Sequence, residues 1–211
     1  MKPIINTYPL GQMGNNSYLF GDAETKEAVL IDPSFGVANL LPELEKEDWT
    51  LKYILLTHAH FDHTYGIYEL MSAMDELPPI GLHACEAKLY QEGGLGELMG
   101  LHRDPLPEAT LSLEEGVDVQ VGAHALKVVH CPGHSPGHVF LYSKDAASAF
   151  VGDIIFQRGI GRTDLPGGSE RVLLQNIHDK VLTLPDETVL YPGHGPATSV
   201  TEERDGNPFL M

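Results

Sequence analysis

Residues 52–63 read KYILLTHAHFDH, an apolar, β-rich run that gives way to three histidines and an aspartate within six residues. A strand of this kind ends in a sharp turn, and His58 and His60, two apart, suit a turn that aims both imidazoles at one ion. Asp62 and His63 follow on the next part of the turn, aimed elsewhere, where they could hold a second ion. The chain has 11 histidines, so the bland alternative is chance clustering on a solvated loop. A buried strand leading straight into the cluster argues against it.

Three later stretches have the same form, a strand followed by a potential ligand. CPGHSPGH, residues 131–138, follows the apolar ALKVVH and brings His134 to a loop fixed by glycine and proline. His130 and His138 flank it and read as structural. FVGDIIF, residues 150–156, places Asp153 in an otherwise apolar run, where a carboxylate costs several kcal/mol unless paired or bound to metal. YPGHG, residues 191–195, ends another strand at His194. Ligands carried at the ends of separate strands are held in place by rigid elements.

The remaining pattern supplies the frame. Strand-like runs recur as IINTY, SYLFGD, EAVLIDPS, PPIGLH, HVFLYS and ETVLYPGH, and SAFVGDIIF reads as one strand carrying Asp153. Helical stripes fall at 37–46, with Val37, Leu40, Leu41 and Leu44 on one face, at 65–74, and at 170–184. Residues 92–109, rich in glycine and proline, read as a flexible loop or lid. Many strands with interspersed helices predict an α+β fold of two sheets flanked by helices, not a purely doubly wound parallel sheet.

Composition sets limits on function. The 211 residues are 42% hydrophobic and 20% charged, enough for a real core within one domain. No long apolar run or signal-like N-terminus occurs, so no membrane association is expected and the cytoplasm is the expected location. A net charge of −17 repels phosphate backbones and argues against a nucleic-acid partner. It would also repel an anionic small substrate unless basic residues gather near the site. Cys85 and Cys131 are too few for a disulfide scaffold or a four-cysteine zinc site and are expected to be reduced, half-buried thiols.

The four motifs, in this order, closely resemble the metallo-β-lactamase superfamily over nearly the whole chain. The resemblance implies a four-layer αβ/βα sandwich with the metals at one edge, as a single domain over residues 1–211. It implies that His58, His60 and His134 hold one metal, that Asp62, His63 and His194 hold a second, and that Asp153 bridges them. Asp62 and Asp153 are then the catalytic carboxylates. Nitrogen and carboxylate ligands without thiolate suit two Zn²⁺ ions, and Fe or Mn is compatible. Two such ions lower the pKa of a shared water and polarise a carbonyl, so the expected reaction is metal-assisted hydrolysis. A purely structural zinc site would be closed and four-coordinate, whereas seven ligands shared by two ions leave positions open.

Further stretches, GQMGNNSYLF (11–20), VLIDPS (29–34), RGIGRTDLPGGS (158–169) and GHGPATSVTEERDGNPFL (193–210), resemble the glyoxalase II branch, most of all its short bacterial forms. These hydrolyse hydroxyacylglutathione or related thioesters such as S-lactoylglutathione. The stretch after Asp153 also resembles the persulfide dioxygenases, which use one iron, here expected on His58, His134 and Asp153. Lactone or phosphodiester hydrolysis is the remaining superfamily alternative. Longer glyoxalase II enzymes carry a C-terminal helical domain with glutathione-binding residues; here 17 residues follow His194, so that domain is expected to be absent and another small thiol is open as the carrier.

Arg158 and Arg162, five and nine residues after Asp153, are candidates for binding an anionic thioester substrate, with pairing to Asp164, Glu170 or Asp104 as the alternative. Both are expected to face the metal cleft, Arg162 above all, with the 92–109 loop covering one side. Tyr191 is a third substrate-contact candidate, with packing as its alternative. A thiol leaves without strong protonation, and no general acid stands out beyond the ligand cluster.

Overall fold

The computed structural model describes residues 1–101 and 105–211. The first sheet holds six strands in chain order: β1 (Ile4–Leu10), β2 (Asn15–Gly21), β3 (Glu27–Ile31), β4 (Thr50–Leu55), β5 (Ile80–Leu82) and β6 (Leu111–Ser112). Pairing is antiparallel from β1 to β3 and parallel from β3 to β6. Then come β7 (Asp118–Val121), β8 (His124–His130), β9 (Val139–Ser143) and β10 (Ser148–Gly152), and a short ribbon of β11 (Ile155–Phe156) and β12 (Gly159–Ile160). The second sheet is completed by β13 (Val189–Pro192) and β14 (Thr198–Ser199), in the order β14-β13-β10-β9-β8-β7.

Strand periodicity accounts for the layering. Along β3 and β4, Val29, Ile31 and Leu55 point one way and join Val128, Leu141 and Phe150 of the second sheet in a core between the sheets. Leu30, Ile54 and Leu56 point the other way and are covered by Val37, Leu40, Ile67, Leu70 and Tyr90. These come from a 3-10 turn (Val37–Leu40), α3 (Gly66–Ala73) and α4 (Ala87–Gln91), with α1 (Leu41–Lys46) and α2 (Phe61–Thr64) between them in sequence. On the outer face of the second sheet, Phe140, Ala149, Val151 and Leu190 pack under Leu173, Ile177, Val181 and Val200. Those belong to α5 (Glu170–Asn176), the π-helical turn that continues it (Ile177–Val181), and α6 (Val200–Gly206). The result is the four-layer α+β sandwich expected from the motifs.

The helices expected over 37–46, 65–74 and 170–184 form, while α4, α6 and β7 were not read from the sequence. One expectation needs correction. SAFVGDIIF is not one strand: β10 stops at Gly152, whose φ of 48° turns the chain, so Asp153 lies just beyond the strand end. The 92–109 stretch, read as a flexible loop or lid, carries a 3-10 turn at Gly96–Met99; residues 102–104 of it lie outside the described residues. The thiols also differ from expectation. Cys131 is fully buried, which pushes its pKa up to about 12, while Cys85 is exposed, and neither forms a disulfide. No helix among the described residues is long and apolar enough to cross a membrane.

Candidate metal centre

Every expected ligand follows the end of a strand at one edge of the sandwich. His58 and His60 lie past β4, Asp62 and His63 on the first turn of α2, His134 past β8, Asp153 past β10 and His194 past β13. The nitrogens of His58, His60 and His134 fall within 4.8 Å of one another, and so do the ligand atoms of Asp62, His63 and His194. Asp153 lies between the groups: its Oδ1 is 3.5 Å from His63 Nε2, and its Oδ2 is 3.7 Å from both His134 Nε2 and His194 Nε2. The structure thus brings all seven expected ligands together.

The imidazoles are oriented from behind. His134 Nδ1 meets the Arg162 carbonyl at 2.7 Å, His63 Nδ1 meets Asp32 at 3.1 Å, His58 Nδ1 meets the Thr57 hydroxyl at 3.1 Å, and His194 Nδ1 meets the Met13 carbonyl at 3.3 Å. Engaging one ring nitrogen this way leaves the other aimed inward, the arrangement metal-binding histidines need. Inward-facing His58 Nε2, His63 Nε2 and Asp153 Oδ1 are buried without a hydrogen-bond partner. Buried polar atoms are rarely left so, and this inward set of bare nitrogens and a carboxylate oxygen fits divalent ions.

Charge is distributed unevenly over the two groups. Burial drives His58 well below the ordinary imidazole pKa and His60 down to about 4, so both are neutral. His63 is also buried, but the Asp153 and Asp62 carboxylates outweigh that and hold it well above the ordinary value. For His194, burial is likewise overcome, by its hydrogen bond to Asp62 and the charge of Asp153. Burial would raise Asp62 and Asp153; the His63 charge beside them dominates and holds both below the usual carboxylate range.

Several positioning groups escaped the sequence reading. Asp32, in the left-handed region at φ 50°, accepts from Thr57 N and Thr57 Oγ1 at 2.7 Å each besides meeting His63. Backbone strain of that kind in a non-glycine residue persists only where surrounding contacts enforce it. Asn15 donates to Asp62 Oδ2 at 2.8 Å, and Asn16 ties the His194 loop through the Pro192 and Gly195 carbonyls. The fully buried Glu86 accepts from Ala59 N at 2.9 Å and Gly137 N at 2.7 Å, joining the loop of His58 and His60 to that of His134. His138 stacks on His58, and its Nε2 accepts from the Asp153 amide, the structural role expected of it. His130 stacks on His83. Gly193 is required by close approach, since a Cβ there would collide with Asp153 Oδ1 and His63 Cε1.

The cleft over the centre, about 290 Å³, is lined beyond the ligands by Met13, Phe61, Gly94, Leu95, Leu98, Met99, Arg162 and Leu165. The described part of the 92–109 stretch therefore covers one side, as expected. Gly94 makes this possible: at φ 62° its carbonyl accepts from Phe61 N, and a Cβ would strike Ala59 O.

The three substrate candidates separate. Arg162 lines the cleft while its guanidinium also pairs with Asp164 through two bonds of 2.8 Å. Asp104, another proposed partner, lies outside the described residues. Arg158 does not reach the cleft: at the turn of the β11–β12 ribbon its side chain bonds the Gly206 carbonyl and its amide bonds Glu203. Tyr191 packs between Tyr18 and Phe150 in the inter-sheet core, stacked at 5.4 Å on Phe150, because its strand faces it inward. Packing, the alternative for Tyr191, is what the structure shows.

Known proteins resemble this chain in sequence and fold. A family model described as the metallo-beta-lactamase superfamily matches residues 10–194. The probable metallo-hydrolase YqgX of Bacillus subtilis is 38% identical over 205 residues, 96% of this chain and 95% of that one. The hydroxyacylglutathione hydrolase GloC of Haemophilus influenzae is 32% identical over 98% of this chain and 97% of its own. The human mitochondrial persulfide dioxygenase ETHE1 is 35% identical over 92% of this chain and 70% of its own. The crystal structure of the BLEG-1 B3 metallo-beta-lactamase superposes with a TM-score of 0.90 at 37% identity, covering 99% of this chain and 100% of that one. TTHA1623, solved in a di-iron-bound form, follows at 0.86 and 38% identity over 97% of this chain and all of that one. A family match across most of the sequence, on a fold whose strand ends bring seven candidate ligands together, makes this chain a member of the metallo-beta-lactamase superfamily.

Proposed function

We propose that the protein is a two-metal hydrolase of small anionic thioesters, S-lactoylglutathione or a related thiol conjugate, with zinc as its resident ion. His58, His60 and His134 would hold one ion, Asp62, His63 and His194 the other, with Asp153 between them. Bound there, such ions supply an activated water and a polarised carbonyl. The chain's own residues do the rest. Asp62, fixed by Asn15, turns its carboxylate to the cleft and orients the attacking water by accepting its hydrogen bond. Met13, Leu98, Met99 and Leu165 shed bulk water from the cleft, and Arg162 meets the substrate's carboxylate.

The observation that carries the choice of thioester is the lining itself. Outside the ligand set, Arg162 is the one ionisable side chain among the described lining residues, and a guanidinium does not give up its proton. The cleft therefore offers no dedicated acid for a poor leaving group. In thioester hydrolysis a C–O bond forms, the C–S bond breaks, and the thiolate departs with the electron pair. A thiol of pKa about 8.5 does so unprotonated, whereas an amide nitrogen does not.

Similarity to the human persulfide dioxygenase favours a second reading, with one iron on His58, His134 and Asp153. Against it stands the second group of Asp62, His63 and His194, complete and facing the same carboxylate. A substrate panel separates the two. Fully metallated protein is assayed for thiol release from S-lactoylglutathione, for opening of a lactone and a β-lactam, and for phosphodiester cleavage; iron-loaded protein is assayed for oxygen uptake with glutathione persulfide. Thiol release at a rate well above the other activities is expected. Oxygen uptake, or turnover of another class without thiol release, overturns the reading.

A further inference from the structure

The metal cleft has an annexe. A cavity of about 590 Å³ adjoins it and shares Met13, Phe61 and Met99 as common walls. Its further walls are Gln12, Phe35 and Leu101, with the backbone of Gly11 and Gly36. No charged side chain lines it among the described residues, and Phe35 is braced by stacking on Tyr65 at 3.8 Å. The volume is that of an ordinary small-molecule site. A hollow of similar size, about 620 Å³ beside Trp49 and Met74, shares no wall with the cleft.

A second observation points the same way. Eight large apolar side chains are exposed among the described residues, and Met13 (48%), Leu98 (70%) and Met99 (63%) gather at the rim of cleft and annexe. Scattered exposed hydrophobics mean little, but a group of them around a concave site marks a surface that apolar matter covers. Methionine is suited to this, since its flexible thioether adapts to varied apolar ligands.

The two ends of the cleft differ in chemistry. Arg162 lies at the His134 end, where its carbonyl holds that imidazole. Met13, whose carbonyl meets His194, is a wall that the cleft shares with the apolar chamber, and Arg162 does not line that chamber. A ligand whose carbonyl sits over the metal centre can thus place an anion at Arg162 and an apolar limb in the adjoining chamber. We infer that the chamber binds the acyl group of the substrate, and that the preferred substrates are thioesters joining an apolar acyl chain to a small anionic thiol. This rests on the thioester reading above, which places the anionic thiol portion at Arg162 and leaves the acyl group facing the chamber.

The test uses one carrier, N-acetylcysteine, and varies the acyl chain through acetyl, butyryl, hexanoyl and octanoyl. Burying a methylene contributes about fourfold, so kcat/KM should rise about fourfold per carbon until the chamber is full. In parallel, S-alkyl thioethers of N-acetylcysteine, which cannot be hydrolysed, are titrated calorimetrically. Gln12→Trp fills the chamber from an exposed turn, and Phe35→Ala removes its wall; each should cut the octanoyl-over-acetyl preference at least about tenfold, with metal content measured alongside. Turnover of every thioester with a flat or falling chain-length profile overturns the chamber inference and leaves thioester hydrolysis standing. Thioether affinity that rises with chain length, without any thioester turnover, supports the chamber and overturns the reaction. Thioether affinity indifferent to chain length and to both substitutions overturns the chamber whatever the reaction proves to be.

Discussion

The two halves of the candidate metal centre, a few ångströms apart, are built on opposite electrostatic plans. The half made of His58, His60 and His134 consists of buried imidazoles, two of them kept neutral by burial, with their loops joined by Glu86. The half made of Asp62, His63 and His194 compensates charge internally, Asp62 against His194 at 3.2 Å and His63 against Asp32 and Asp153, and His194 is partly exposed. A dication entering the first half meets the unpartnered His58 Nε2 and has to break only the 2.9 Å contact between His60 Nδ1 and His134 Nε2. In the second it must displace protons that the carboxylates have drawn onto the histidines. Proximity therefore does not make the two sites equal, and the first is expected to fill first and hold more tightly.

The largest expected effect abolishes the distinction. Asp153 faces both halves, so Asp153→Ala should lower thiol release by about a thousandfold or more and reduce the metal content of both, as read by elemental analysis after dialysis. Loss of only one ion would mean that Asp153 serves one half. Acidification should then separate the halves. His63 and His194 have raised pKa values, so lowering the pH protonates them first and weakens the second ion about tenfold per pH unit for each proton displaced. His60, held at about 4, remains neutral over the same range. Dialysis at pH 8, 7 and 6 should therefore show metal content falling from two toward one. Simultaneous loss of both ions would contradict the asymmetry.

Two smaller effects sharpen the comparison. Glu86→Gln replaces an acceptor with a donor facing the amide of Ala59 or Gly137, releasing one loop of the first half. Chelator competition should show metal affinity there reduced about 10- to 100-fold, with the second half less affected. Arg162→Ala should act more weakly, because that side chain is mostly exposed and shared with Asp164. We expect KM for an anionic thioester to rise about three- to tenfold with kcat, metal content and the KM of a neutral thioester nearly unchanged, as for lost uniform binding. A loss of metal instead would make Arg162 structural, acting through its carbonyl on His134.

The sequence exposed the ligands and hid their supports, for a physical reason. A histidine or aspartate at the end of an apolar strand conflicts with its surroundings, a conflict that a bound metal would resolve; seven such residues at four strand ends, THAHFDH among them, are visible without coordinates. Glu86 in HACEAKL looks like any solvated helix acid, because its burial comes from two loops distant in sequence. Asp32, after the apolar VLI, offered a fainter signal of the kind that identified Asp153. Arg158 and Arg162 looked equivalent because distance along the chain ignores the β11–β12 ribbon. That hairpin throws Arg158 out to α6 at its turn, and the returning strand brings Arg162 back beside His134. Tyr191 was ambiguous for a simpler reason, since strand phase alone decides whether it meets Phe150 or the cleft.

Hydrolysis is expected to need both halves. Metal-free protein is titrated with zinc at pH 8 while thiol release from a small anionic thioester is followed against equivalents added. Little activity is expected through the first equivalent, which fills the three-histidine half, and then a rise that tracks the second. Full activity at one equivalent, unchanged in His194→Ala, would contradict it.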